Sequence, residues 1–252
     1  MARLTVADLQ QMKRDGKKIA AAVVYDVTMT RVFERAGVDF LSVGDSFASY
    51  LLGARMEDVT VDDMLLFARA VMRTAERAVL SVDVPIAVCS AGATTVHTAA
   101  KRFKEEVGPE VAKLFIPSGP EGLPDQVHAV VDAGLAAYCR VMYPGDRDSR
   151  AIVGSLEKDE HVLKWAHAVQ DAGASMIDLY MGTPEIYGEV AKSLRIPVIG
   201  GQWATRHADG KIFIYPNLVG YRPDTVEKTG TAARFIYDIV EPALAEVHAG
   251  TW

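Results

Sequence analysis

"KIAAAVVYDVTMTRVFERAGVDFLSVGDS", residues 18–46, holds the decision about the fold. Residues 18–25 form an apolar run rich in Ala and Val. Residues 30–37, "TRVFERAG", alternate apolar and charged positions at helical spacing and stop at Gly37, where a C-terminal cap glycine belongs. A second apolar run, "FLSVG" (40–44), follows at once. Strand, helix, strand at this spacing is a βαβ unit with parallel strands. The turn after the first run, "VVYDVTMT", has no G-x-G-x-x-G. A doubly wound dinucleotide-binding sheet is therefore the runner-up, and a barrel is preferred.

Outward from that unit the pattern repeats. Further strand-like runs fall at 78–88, 111–116, 135–142, 175–181, 196–201 and 211–216, with amphipathic stretches between most of them. Gly134 and Gly173 close two of those stretches as Gly37 closes the first. Eight strands with intervening helices in 252 residues define an α/β (β/α)8 TIM barrel, expected as one domain over residues 1–252. The closing stretch 231–250 reads as a terminal helix with a break at Pro242.

The bulk numbers narrow the function classes. Half the residues are hydrophobic, 24% are charged and the net charge is −6, with no Lys/Arg run, which argues against a nucleic-acid partner. No apolar stretch has the length of a membrane span and the N-terminus lacks a signal-peptide core, so a cytoplasmic location is expected. Cys89 and Cys139 sit in apolar settings and read as buried free thiols.

In a barrel the C-terminal ends of the strands line the active site. Asp26, Asp45 and Asp83 fall at the ends of the first three runs, Lys113 in the fourth, Arg140 in the fifth, and Asp178 and Tyr180 in the sixth. Charged groups inside apolar strands are costly to bury unless they are paired or hold a metal. Several at the same end of consecutive strands point to a site. Asp178 and Tyr180, two residues apart, share a strand face, which puts Asp178 one layer deeper, either orienting Tyr180 or, as preferred, in an ion pair with Lys113 or Arg140. An Asp26–Lys113 salt bridge is the bland alternative for those two residues.

"AGVDFLSVGDS", "GARMEDVTVDDML", "SVDVPIA", the lysine of "VAKLF" and "IPVIG…DGKIFI" resemble the ketopantoate hydroxymethyltransferase family, within the phosphoenolpyruvate mutase/isocitrate lyase superfamily of barrels. The likeness is good over about residues 3–116 and returns at 172–220. It implies that Asp45 and Asp83 are the metal carboxylates, for Mg²⁺ or another divalent cation. It also implies that Ser46 touches the substrate carboxylate and that Lys113 sits beside a bound 2-oxo acid. Mg²⁺ takes oxygen ligands, and a 2-oxo acid offers it keto and carboxylate oxygens, which favours enolate chemistry. Tyr25, Asp26, Ser46, Lys113 and Arg140 are the expected substrate contacts. The resemblance further implies a homo-oligomer.

The same resemblance exposes departures. The family's catalytic glutamate in the sixth strand falls on Tyr180, its fifth-strand histidine on Arg140, and an acidic residue after the lysine on Phe115. Tyrosine is a poor base at neutral pH. "YCRVM" is similar to the strand of superfamily relatives whose arginine grips a carboxylate, while their cysteine loop is absent. Trp203 stands where the family has small residues, and the loop after the fifth run, centred on 143–160, offers Tyr143, Asp146, Arg147, Asp148, Arg150 and, just past it, His161 as lid residues. The expected catalytic set is Tyr180, Lys113 and Arg140. The expected reaction makes or breaks a carbon–carbon bond beside the carbonyl of a 2-oxo acid. Hydroxymethyl transfer from a one-carbon donor, or a barrel that only binds metal and oxo acid, are the alternatives.

Overall fold

The computed structural model describes residues 2–116, 120–144, 154–201 and 206–249. Eight strands close into a barrel in sequence order, and each successive pairing from the first strand to the eighth is parallel. They are β1 (Ile19–Val23), β2 (Phe40–Val43), β3 (Val79–Asp83), β4 (Val111–Leu114), β5 (Ala136–Met142), β6 (Met176–Tyr180), β7 (Val198–Gly200) and β8 (Gly210–Ile214). The helices are α1 (Val6–Arg14), α2 (Val27–Ala36), α3 (Val61–Met72), α4 (Ile86–Ala91), α5 (Ala93–Glu106), α6 (Leu123–Asp132), α7 (Leu156–Asp171), α8 (Pro184–Ser193), α9 (Tyr215–Val219) and α10 (Ala232–Ala249). The expected α/β barrel is the observed one.

The chain divides into two compact units, Met1–Ile212 and Phe213–Trp252, where the sequence reading has one domain. The first holds β1 to β7 and the part of β8 that closes the barrel. Its strands are buried on both faces, as in β2, where Phe40, Leu41, Ser42 and Val43 are all inaccessible. Closure depends on Gly210. A Cβ there would lie 2.6 Å from the Ile19 carbonyl oxygen, so any side chain would force β8 away from β1. In the second unit, α9 is followed by a short turn held by Thr225, whose hydroxyl donates to the Gly220 carbonyl at 2.7 Å, and then by α10.

Several boundaries differ from the sequence reading, and proline explains two of them. Residues 78–88 were one expected strand, but the chain leaves β3 at Asp83 and Pro85 caps α4. The last run, 211–216, likewise ends early because Pro216 opens α9. Pro242 lies inside α10, which runs through it, so the expected break is absent. The connection after β5 is shorter than the stretch 143–160, since Ser155 caps α7.

The inward-facing positions follow from one contact. Phe40 on β2 and Tyr138 on β5 meet edge to face, ring centres 5.4 Å apart, although two strands separate them in the sheet. Both rings therefore point into the barrel. Alternation along the strands then turns Ser42, Ser81, Asp83, Lys113, Arg140, Asp178 and Tyr180 inward as well. Register places Asp83 beside Lys113 and Arg140 beside Asp178.

Candidate active site

Asp178 is the hub of the deeper layer. Its Oδ2 accepts from Lys113 Nζ at 2.9 Å and from Arg140 Nε at 2.7 Å, while Asp178 and Lys113 are 1% and 4% exposed. Burial alone would raise the carboxyl of Asp178, but the two cations outweigh it and hold it below the usual carboxylate range. Oδ1 of Asp178 is buried with no hydrogen-bond partner among the described residues. The expected ion pair is thus present with both cations at once, and the alternative Asp26–Lys113 bridge is not: Lys113 is committed to Asp178.

Asp45 and Asp83 lie toward the mouth of the barrel. Asp83 ends β3, and its Oδ1 accepts from Ser42 Oγ at 3.1 Å. Asp45 lies two residues beyond β2, past Gly44, where a Cβ would be 2.9 Å from Val23 and 3.6 Å from Asp83 Oδ2. Glycine is what lets this turn pack against Val23, while the 3.6 Å to Asp83 is ordinary contact. Burial, with the charge of Asp83 next, pushes the Asp45 carboxyl up to about 7 against the pull of Arg140 and Lys113. Burial also raises Asp83, which Lys113, Arg140 and Ser42 oppose. Asp178 balances only one of the two cations it bonds, so one positive charge is left to face the two carboxylates of Asp45 and Asp83. Two hard oxygen donors of this kind fit a divalent cation such as Mg²⁺; they are two, and no group of three or more His, Cys, Asp or Glu placed to hold a metal ion occurs among the described residues. A two-carboxylate cradle leaves coordination positions for water and substrate oxygens.

Ser46 follows directly, its Oγ 2.8 Å from the hydroxyl of Tyr25. Tyr25 is buried, stacks on Tyr50 at 6.5 Å and meets Phe47 edge-on at 6.3 Å. Its place is behind Ser46. A π-helical turn, Ala48–Leu52, then carries the chain to Gly53.

Asp26, also expected as a substrate contact, is not at the end of β1 but caps α2, accepting from the Met29 amide at 2.8 Å. Asp26→Ala should therefore cost about 1 kcal/mol in urea unfolding and leave ligand affinity intact. A tenfold loss of affinity in calorimetry at unchanged stability would return Asp26 to the substrate contacts.

Arg140 and Tyr180 face each other. The guanidinium carbon sits over the Tyr180 ring at 4.9 Å and over the Phe115 ring at 5.0 Å. Phe115 follows β4 and Tyr180 ends β6, so the rings flank Arg140 from the two strands beside β5. Just after Tyr180, Met181 has φ +66°, the only positive value at a non-glycine among the described residues. Such a conformation is strained by about 1 kcal/mol or more and recurs at functional sites.

Of the expected lid residues, Asp146, Arg147, Asp148 and Arg150 lie outside the described residues, as does Trp203. Tyr143 is a brace: its hydroxyl donates to Asp159 at 2.8 Å and accepts from the Ser155 amide at 3.2 Å. His161 is on α7, its ring centre 6.5 Å from that of Trp165. Both cysteines are buried free thiols, and burial pushes Cys89 up to about 12, which rules it out as a nucleophile at neutral pH. Sequence reasoning missed Ser42, Tyr138 and the stacking role of Phe115. Their signal was their spacing, each two residues from a charged or glycine position on the same strand face.

The barrel shares its fold with solved α/β barrels, among them a member of the phosphoenolpyruvate mutase/isocitrate lyase superfamily. Phosphonopyruvate hydrolase, solved with oxalate and Mg²⁺, superposes with a TM-score of 0.64 at 15% identity, covering 98% of both chains. 2,3-Dimethylmalate lyase does so with a TM-score of 0.64 at 18% identity, covering 99% of both. The family model for ketopantoate hydroxymethyltransferase matches residues 3–251. The chain belongs to the ketopantoate hydroxymethyltransferase family. The 3-methyl-2-oxobutanoate hydroxymethyltransferase of Leifsonia xyli subsp. xyli is 30% identical over 246 residues, 96% of this chain and 87% of that protein. The enzyme of that name from Geobacter sulfurreducens is 31% identical over 256 residues, 98% of this chain and 94% of that one. No described helix is long and apolar enough to cross a membrane.

Proposed function

We propose that this chain binds a 2-oxo acid beside a divalent cation, Mg²⁺ first, held by Asp45 and Asp83, and cleaves or forms the carbon–carbon bond next to the keto group. The observation that carries the reading is the half-buried Asp45–Asp83 pair, two carboxylates facing the single positive charge that Asp178 leaves on Lys113 and Arg140. A bound cation supplies positive charge where the keto oxygen gathers electron density. Ser46, oriented by Tyr25, donates a hydrogen bond to the substrate carboxylate. Lys113, held rigid by Asp178, adds fixed charge on the same side.

Tyr180 supports cleavage over the family's proton removal at carbon. It stands at the end of β6, where the resemblance expects a glutamate, and a phenol is a poor base toward a C–H bond. It is chemically suited to exchange a proton with a substrate hydroxyl, as a retro-aldol step needs. Family membership favours hydroxymethyl transfer as the second reading. The exposed Phe235, Ile239, Leu244 and Val247 of α10 support a homo-oligomer, and a cytoplasmic location stays with the reading.

With Mg²⁺ present, aldehyde release from 3- and 4-hydroxy-2-oxo acids should outrun deuterium exchange at C3 of 2-oxoisovalerate, followed by NMR in D₂O. Tyr180→Phe should slow release by about 100-fold or more. Exchange faster than release would favour hydroxymethyl transfer. Binding with neither reaction would leave a barrel that only binds metal and oxo acid.

A further inference from the structure

Tyr138 lies wholly inside the barrel, edge to face with Phe40 and with the ammonium of Lys113 5.0 Å from its ring centre. Its hydroxyl is buried and has no hydrogen-bond partner among the described residues. Two more inward oxygens share that condition, Ser81 Oγ and Asp178 Oδ1, and none of the three residues is more than 1% exposed. Register sets Ser81 on β3 beside Val111, and Val111 beside Ala136 on β5. The tilt of the strands then brings Tyr138, two residues on, into the inward layer of Ser81. Lys113 and Asp178, on the alternate strands β4 and β6, lie in the next layer toward the mouth. Burial, with the charge of Asp178 next, pushes the Tyr138 phenol up, so it keeps its proton.

Each of these oxygens is costly to hold away from water without a partner, the carboxylate oxygen most of all, and one shared partner removes the cost at all three. We infer that Ser81, Tyr138 and Asp178 form a closed binding site for one water molecule beneath the cluster of Lys113, Arg140 and Asp178. The chemistry selects water. Asp178 Oδ1 needs a donor, which excludes an anion, and the net positive charge of Lys113 and Arg140 over Asp178 repels a metal cation. A water donates to Asp178 and to one hydroxyl and accepts from the other, which satisfies all three oxygens. Ala21 pairs with Phe40 and Ser42 with Ser81, so both turn inward as well, and their small side chains leave the guest its room. The site gives the second oxygen of Asp178 its donor and so sustains the carboxylate that holds both Lys113 and Arg140. It is independent of what binds at Asp45 and Asp83.

A crystal structure of the full chain that resolves ordered solvent should show one water about 2.7–3.2 Å from all three oxygens. The sign of two substitutions tests the same site in solution. Deleting an unbonded buried hydroxyl is neutral or stabilising, whereas deleting one that holds a water destabilises. Tyr138→Phe and Ser81→Ala should each lower the melting temperature by about 2–6 °C. The double variant should lose less than the sum, because both hydroxyls hold the same water. Three results overturn the inference: no solvent between the three oxygens, a melting temperature left unchanged or raised by Tyr138→Phe, or fully additive losses. Repeating the melts with tetramethylammonium in place of Na⁺ and K⁺ tests the identity of the guest. Losses that persist support water, and losses that vanish make the guest a monovalent cation and overturn the assignment. If one variant does not fold, the crystal structure and the other variant decide.

Discussion

Asp178→Asn should lower the melting temperature by about 10 °C. The substitution keeps the side-chain volume but strands Lys113, 4% exposed, and the Nε of Arg140 without a counter-charge. Breaking a buried pair by removing one partner costs about 3–5 kcal/mol, because the remaining charge has lost both water and its mate. For a chain of this size each kcal/mol moves the midpoint by about 2–4 °C. Adding Lys113→Met removes the stranded ammonium and should recover part of the loss, so the double variant is expected to be more stable than Asp178→Asn alone. The pH dependence has a definite sign. The folded carboxyl of Asp178 lies below its unfolded value, so its contribution is complete above about pH 4 and is lost as the pH falls through the folded pKa. The parent should lose this part of its stability on acidification and the variant should not. A loss under about 1 kcal/mol in urea unfolding would mean that the triad contributes no more than a surface pair.

The fold was readable because most strands are short, largely apolar runs buried on both faces, and several of the longer helices bury one apolar face. The missed boundaries sit at Pro85, where apolar residues after the proline were read as strand and instead begin a helix, and at Pro216, where the expected strand ran on into the first two residues of α9. The charged positions of the site were readable for a related reason: Asp83, Lys113, Arg140 and Asp178 interrupt apolar strands, and burial makes that costly. Which of them pair was only half readable. Period-two spacing put Asp178 inside the barrel, but nothing local told Lys113 to choose Asp178 over Asp26. The choice follows from three dimensions, where Asp26 caps α2 through the Met29 amide and Asp178 lies within reach of two cations. Phe115 shows the limit from the other side. By likeness it is the loss of an acidic residue, and in space it is a wall for Arg140. A pattern of residue types records what a position lacks, while its partner across the barrel determines what it does.

Metal-free protein should become less stable as the pH rises from about 4 to 7, and Mg²⁺ should reverse the trend. Burial and Asp83 hold the Asp45 carboxyl near 7 in the folded chain, against about 3.9 when unfolded. Between those values the unfolded chain has released its proton and the folded chain retains it, so stability falls with pH. A shift of about three units corresponds to about 4 kcal/mol, or about 10 °C in melting temperature. A divalent cation binds the ionised carboxylates, so its stabilisation should be small at pH 5 and grow toward pH 8, reaching about 2.7 kcal/mol at a hundred times its Kd. Asp45→Asn separates the effects by deleting one charge of the repelling pair. That variant should melt higher than the metal-free parent at pH 8, show little slope between pH 5 and 8, and respond weakly to Mg²⁺. A flat metal-free profile in the parent over the same range would show that Asp45 and Asp83 do not share their charge. An Asp45→Asn variant stabilised by Mg²⁺ as strongly as the parent would place the cation elsewhere in the barrel.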